Sequence, residues 1–108
     1  MKKIHSWEEF NAIDQTKAFF FLKNSTTCPI SQTAFEEVSN FAEDHPHIPT
    51  YYLNVQESRA LSNQLADEFN VKHESPQIFL FQNGKVLYHD SHWKITFDTL
   101  SKVAAEQL

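Results

Sequence analysis

One cysteine, one glycine and four prolines are all that this 108-residue chain carries of the residues that cross-link, loosen or break a backbone. With a single thiol no disulfide can close within the chain, and the cytosol is the expected compartment. The scarcity of glycine and proline excludes a low-complexity or loop-dominated protein. No apolar run exceeds five residues, against the roughly 20 that a membrane-spanning helix needs. Basic residues are also in deficit. Nine Lys and Arg stand against 14 Asp and Glu, a net charge of −5, which argues against a surface for nucleic-acid phosphates. The start, Met1-Lys2-Lys3-Ile4-His5-Ser6-Trp7-Glu8-Glu9, has two lysines but no apolar stretch after them, so no signal peptide is expected.

What is abundant is apolar and aromatic. The chain is 41% hydrophobic, with ten phenylalanines, enough to fill a core without metal or disulfide. One domain over residues 1–108 is expected. Ser6-Trp7-Glu8-Glu9 has the form of a capping box and predicts a short helix from Trp7 to Ile13. The unbroken apolar run 18–22 predicts a strand covered on both faces. Ile30, Ala34, Phe35, Val38, Phe41 and Ala42 follow helical spacing up to the Asp44-His45-Pro46 break. Residues 50–55 read as a second strand, and Ser58 as the cap of a helix reaching Phe69. Ser75-Pro76 opens a third strand, 77–82, which Asn83-Gly84 turns into an antiparallel partner at 85–90. A last helix covers 95–107. The order predicts an α/β fold: a mixed four-stranded sheet flanked by helices on both faces.

Cys28 falls between the first long strand and the second helix, in Thr26-Thr27-Cys28-Pro29-Ile30-Ser31. A helix N-terminus leaves N–H groups without intrahelical partners and carries partial positive charge. A thiolate placed there is stabilised, so the sulfur becomes a better-populated nucleophile. A lone buried cysteine is otherwise an inert small hydrophobe. The position favours reactivity.

A cysteine at the first strand-to-helix turn and a proline opening the third strand resemble the thioredoxin fold over essentially the whole chain. Thioredoxins carry Cys-x-x-Cys at this turn, whereas here Ser31 occupies the second position. Thr27-Cys28-Pro29-Ile30-Ser31 more narrowly resembles the motif of the monothiol bacilliredoxins. These are small thioredoxin-like proteins associated with bacillithiol, the low-molecular-weight thiol that some Gram-positive bacteria use in place of glutathione.

The resemblance implies a thiol–disulfide oxidoreductase. Cys28 would take bacillithiol from a mixed disulfide on a client protein, and free bacillithiol or a partner oxidoreductase would then resolve the adduct. It implies no tightly bound cofactor, bacillithiol as co-substrate, bacillithiolated proteins as partners, and a monomer in the cytoplasm. Around Cys28, Thr27, Pro29, Ile30 and Ser31 are expected to form the binding site. Ser31 would donate to the thiolate through its N–H or hydroxyl, the alternative being a solvated helix-capping serine. Ile30 would offer apolar contact to a client or pack inward, and Pro29 suits the first helical position either as a rigid support for the sulfur or as an ordinary helix-starting proline. Pro76 is expected to be cis, presenting the Ser75 backbone for an extended client segment to pair with. Thioredoxins hold a buried acid behind this helix to serve the second cysteine; Phe19-Phe20-Phe21-Leu22 offers none.

Other residues read more plainly. Lys23 is expected to be a solvated surface lysine, the alternative being positive potential near the sulfur. The six histidines, His5, His45, His47, His73, His89 and His92, are scattered, lack i, i+4 spacing and read as solvent-facing, so no metal site is expected. Glu8-Glu9, Glu36-Glu37 and Asp67-Glu68 read as solvated helix faces. Two other classes compete with the enzyme: a module binding an iron–sulfur cluster or a client without turnover, and a scaffold whose redox chemistry has decayed.

Overall fold

The structure, a computed structural model, describes residues 1–108. In chain order it runs β1 (Lys2–Lys3), α1 (Trp7–Asn11), β2 (Phe19–Asn24), α2 (Pro29–Asp44), β3 (Thr50–Asn54), α3 (Arg59–Phe69), β4 (Gln77–Gln82), β5 (Lys85–Ser91), a 3-10 turn (His92–Lys94) and α4 (Phe97–Gln107). The sheet has five strands in the order β1-β3-β2-β4-β5, not four. β1 pairs parallel to β3 through Lys2–Tyr51 and Lys3–Tyr52. Two residues, both lysine, carry no alternation to read, so this edge strand left no trace in the pattern.

β2 lies at the centre, parallel to β3 and antiparallel to β4. All six of its residues are buried, as a strand covered on both faces requires. Alternate side chains serve different layers. Phe20 and Leu22 join Ala34, Val38, Phe41, Leu100 and Val103 in a core under α2 and α4. Phe19 and Phe21 join Phe10, Leu61, Leu65, Phe79 and Phe81 on the other face, under α1 and α3. Phe10 centres an aromatic cluster there, meeting Phe19, Phe21, Phe69 and Phe81 edge-on at 5.3 to 6.1 Å.

The turns obey local chemistry. Asn83 and Gly84 both take positive φ, 55° and 72°, the conformation of a tight hairpin. Ser6 Oγ accepts from the Glu9 N–H at 3.1 Å, but Glu9 Oε1 reaches past Ser6 to the His5 N–H. α1 stops at Asn11, short of Ile13. Ser58 occupies the position before α3 without capping it, its buried hydroxyl unpartnered. α4 starts at Phe97, two residues later than Ile95, because Thr96 caps it through the Thr99 N–H at 3.1 Å. No helix is long and apolar enough to cross a membrane.

Candidate active site

β2 delivers the chain at its C-terminal end into the turn Ser25–Thr27, and α2 begins at once with Pro29 in its first turn. Cys28 is the residue before the helix, with φ −106° and ψ 124°, and it is partly exposed. As a thiol it makes no capping hydrogen bond. The backbone N–H of Ser31, then that of Ile30, favour the thiolate and hold the Cys28 pKa below the ordinary cysteine value. Burial opposes them, and the Ser31 hydroxyl adds a smaller lowering effect. The charge is drawn to the open N-terminus of a 16-residue helix.

Ser31 is fully buried, which rules out a solvated serine. Its Oγ has no hydrogen-bond partner in the resting structure, so the donor is free for the sulfur when charge develops there. Pro29 is exposed and Ile30 half-buried. Thr27 is exposed, and its turn is fixed by a residue that sequence patterning did not single out. Gln56, just after β3, donates to Ser25 Oγ at 2.8 Å and to Thr27 Oγ1 at 3.3 Å. Its Oε1 accepts from the Thr26 N–H at 3.1 Å. One amide thus braces three successive residues before the cysteine. A glutamine in a turn gives no sequence signal for this, because its partners lie 29 to 31 positions away.

A cleft of about 510 Å³ opens beside Cys28. Thr27, Pro29, Gln32 and Glu36 edge it along the start of α2, with Phe35 and Tyr52 supplying apolar surface. Asn24 and Asn54, paired in register on β2 and β3, complete it. Asn24 Nδ2 donates to Asn54 Oδ1 at 2.9 Å, and Asn54 Nδ2 donates to Glu57 Oε1 at 3.2 Å. Glu57 in turn ion-pairs with Lys3 of β1 at 3.1 Å. Asn24 Oδ1 is left without a partner. The lining is polar and rich in acceptors, and it contains no cation.

Ile30, Ser31, Ser75 and Pro76 do not line this cleft. The Ser75–Pro76 peptide bond is cis. The β2–β4 register ends at Lys23–Gln77, so the Ser75–Pro76 step enters the sheet at the end where β2 leaves toward Cys28. Pro76 is buried and its carbonyl accepts from the His92 N–H at 3.0 Å. Neither the N–H nor the C=O of Ser75 bonds to another backbone group.

Lys23 corrects the expectation of a surface lysine. Its side chain is wholly buried on the α3 side of the sheet. Nζ donates to the Ser62 carbonyl at 2.9 Å, lies 3.2 Å from His73 Nδ1, and sits 5.7 Å from the centre of the Phe79 ring. Lacking a carboxylate, the ammonium is disfavoured by desolvation and its pKa is pushed down to about 8. Two histidines likewise depart from solvent. His73 is half-buried and also lies 3.2 Å from Ser62 Oγ; burial and the charges of Lys23 and Arg59 lower its pKa. His45 is half-buried and stacks on Phe41 at 4.1 Å. His5, His47, His89 and His92 are exposed. Of the acidic pairs, Glu37 is half-buried and accepts from the Phe97 N–H at 3.2 Å.

A five-stranded mixed sheet with a cysteine ahead of α2 and a cis-proline ahead of β4 defines a thioredoxin-fold thiol–disulfide oxidoreductase. Solved structures agree with that fold. A protein with a thioredoxin fold superposes with a TM-score of 0.89 at 38% identity, covering 95% of this chain and 92% of its own. Thioredoxin from Fasciola hepatica matches with a TM-score of 0.80 at 12% identity over 100% of both chains. Mitochondrial thioredoxin 3 from Saccharomyces cerevisiae matches at 0.76 and 19%, over 98% of this chain and 94% of its own. These two likenesses speak for the fold alone. The family model of monothiol bacilliredoxin BrxC matches residues 1–100, and the chain belongs to that family.

Proposed function

We propose that this oxidoreductase removes bacillithiol from protein mixed disulfides, with Cys28 as the attacking and accepting sulfur. The observation that carries the reading is a thiol favoured as thiolate, bordering a polar cleft, in a chain with no second cysteine. The Cys28 thiolate attacks the bacillithiol sulfur of the client disulfide. A Cys28–bacillithiol disulfide forms, and the client leaves as a thiolate that takes up a proton. A second thiol, free bacillithiol or the thiol of a partner oxidoreductase, then attacks the bacillithiol sulfur and releases Cys28 as thiolate. The client disulfide gains two electrons, and the two small thiols, or the small thiol and the partner, lose them in forming a new disulfide.

The cleft supports the small-thiol half of this reaction. Its volume falls within the roughly 300–1,000 Å³ of sites for small molecules. Thr27 and Pro29 would border the bound thiol, and the Ser31 N–H would stabilise the leaving Cys28 thiolate. Ile30 and the free backbone groups of Ser75 beside Pro76 would receive the client, which pairs there as an added strand. Bacillithiol serves as co-substrate, with no tightly bound cofactor, and the protein acts as a monomer in the cytoplasm.

The test incubates the protein with a client carrying a bacillithiol mixed disulfide and follows both by mass spectrometry. Transfer of the bacillithiol mass to Cys28, absent in Cys28→Ala, is expected. Equal transfer from a glutathionylated client would defeat the small-thiol assignment. Visible absorbance in fresh protein, with no transfer from either client, would favour a bound iron–sulfur cluster instead.

A further inference from the structure

We propose that Lys23 is a positioning residue for client docking: acting through His73, it holds the segment that presents Ser75 and Pro76. This rests on the docking role given above to Ser75 and Pro76. Lys23 shares its face of β2 with Phe19 and Phe21, and the row it ends is otherwise aromatic. An apolar residue would fill that place without desolvating a charge. The ammonium instead spends its hydrogens on Ser62 O and on His73 Nδ1.

The ring nitrogen facing Lys23 also faces the Ser62 hydroxyl at 3.2 Å. An ammonium can only donate, so the Nδ1 that meets Lys23 accepts and the proton of neutral His73 sits on Nε2. His73 belongs to the 71–74 stretch between α3 and β4, which has no regular structure. Gln77 Nε2 donates to Lys72 O at 2.9 Å. His73 provides the tie toward β2 and α3. Without it, the two residues leading into Ser75 lose their inward anchor, while Ser75 has no backbone bond of its own to replace it. Lys23 does not act on the sulfur directly. The groups that lower the Cys28 pKa are Ser31 and Ile30, and Lys23 projects from the sheet face opposite Leu22 and its α2 core.

The experiment compares two substrates on four variants of the full chain. The substrates are a bacillithiolated reporter protein and bis(2-hydroxyethyl) disulfide, which needs no docking strand. Lys23→Met and His73→Leu are expected to lower kcat/KM for the reporter protein about tenfold, chiefly through KM, since small misplacements of docking groups are costly. Both should leave the Cys28 thiol pKa and the rate with the small disulfide unchanged. His73→Asn, whose amide oxygen can take the place of Nδ1, should keep most of the wild-type rate. Amide hydrogen exchange over 72–76 should speed up in the first two variants only. Pro76→Ala separates the two levels of the argument. If it shows no client-selective loss, the docking role fails and this inference with it. If Pro76→Ala loses the client selectively while Lys23→Met and His73→Leu do not, or lose both substrates equally, the positioning role is overturned alone. Should Lys23→Met misfold, His73→Leu in the irregular stretch carries the same decision.

Discussion

Asn24 and Asn54 face one another across parallel neighbouring strands, the Nδ2 of the first 2.9 Å from the Oδ1 of the second. The pair links the cleft beside Cys28 to the sheet and, through Glu57 and Lys3, to its edge. Replacing Asn54 by leucine strands the buried Asn24 amide. A loss of about 1–3 kcal/mol in unfolding free energy is expected, the cost of an unsatisfied buried polar group. Urea denaturation measures it. The outer Lys3–Glu57 pair is part-exposed and should matter far less, so Lys3→Ala is expected to change stability by under about 1 kcal/mol.

The Cys28 thiol should titrate below the free-cysteine value of about 8.5. Thiolate absorbance in the ultraviolet, followed against pH, reads the midpoint directly. Ser31→Ala keeps the backbone N–H that does most of the lowering and removes only the hydroxyl, so the midpoint should rise slightly and remain below the reference. A midpoint near 9 in the wild type would show that the helix terminus does not activate the sulfur.

Supplying the missing second thiol should change the reaction's ending. In Ser31→Cys the new sulfur stands three residues after Cys28, on the first turn of α2. It should attack Cys28 in the Cys28–bacillithiol adduct, release bacillithiol and leave an internal disulfide. Mass spectrometry of the pre-formed adduct distinguishes this from the wild type, where the adduct persists until an external thiol is added.

Lys23 sets a stability change with pH. Its folded pKa, about 8, lies below the ordinary 10.5, so between those values the unfolded chain binds more protons. Stability from this group therefore rises as pH climbs from about 8 to 10.5, by on the order of 3 kcal/mol. Lys23→Met should lose that rise and be no less stable than wild type at pH 7, because methionine fills the space without a charge. Thermal melts of both proteins at pH 7 and pH 10 give the comparison. A fall in stability of the variant at pH 7 would contradict it.

Phe10 tests the aromatic layer. Fully enclosed and edge-on to four rings, its truncation to alanine should cost roughly 3–5 kcal/mol. The cavity lies on the α1 side of the sheet, so the Cys28 thiol pKa should not move in the folded variant.

The sequence by itself determined a great deal. The apolar run at 18–22, the helical spacing from Ile30 to Ala42 and the Asn83-Gly84 turn are local signals, and the matching elements followed. Cys28 ahead of a helix is likewise a local fact, as is the absence of any thiol to resolve it. What escaped were features whose cause lies far along the chain. A two-lysine strand exists only because β3 offers an open edge. Gln56 matters because folding brings it against residues 25–27. Lys23 looked like surface because lysine is costly to bury, and its acceptors, Ser62 and His73, stand 39 and 50 positions away. Hydrophobic period and turn chemistry act between near neighbours, whereas buried polar partnerships are settled only when the layers close. The thiol and its solitude were therefore written in the chain, while the cleft beside it and the buried Lys23–His73 contact behind Ser75 and Pro76 were decided by tertiary packing.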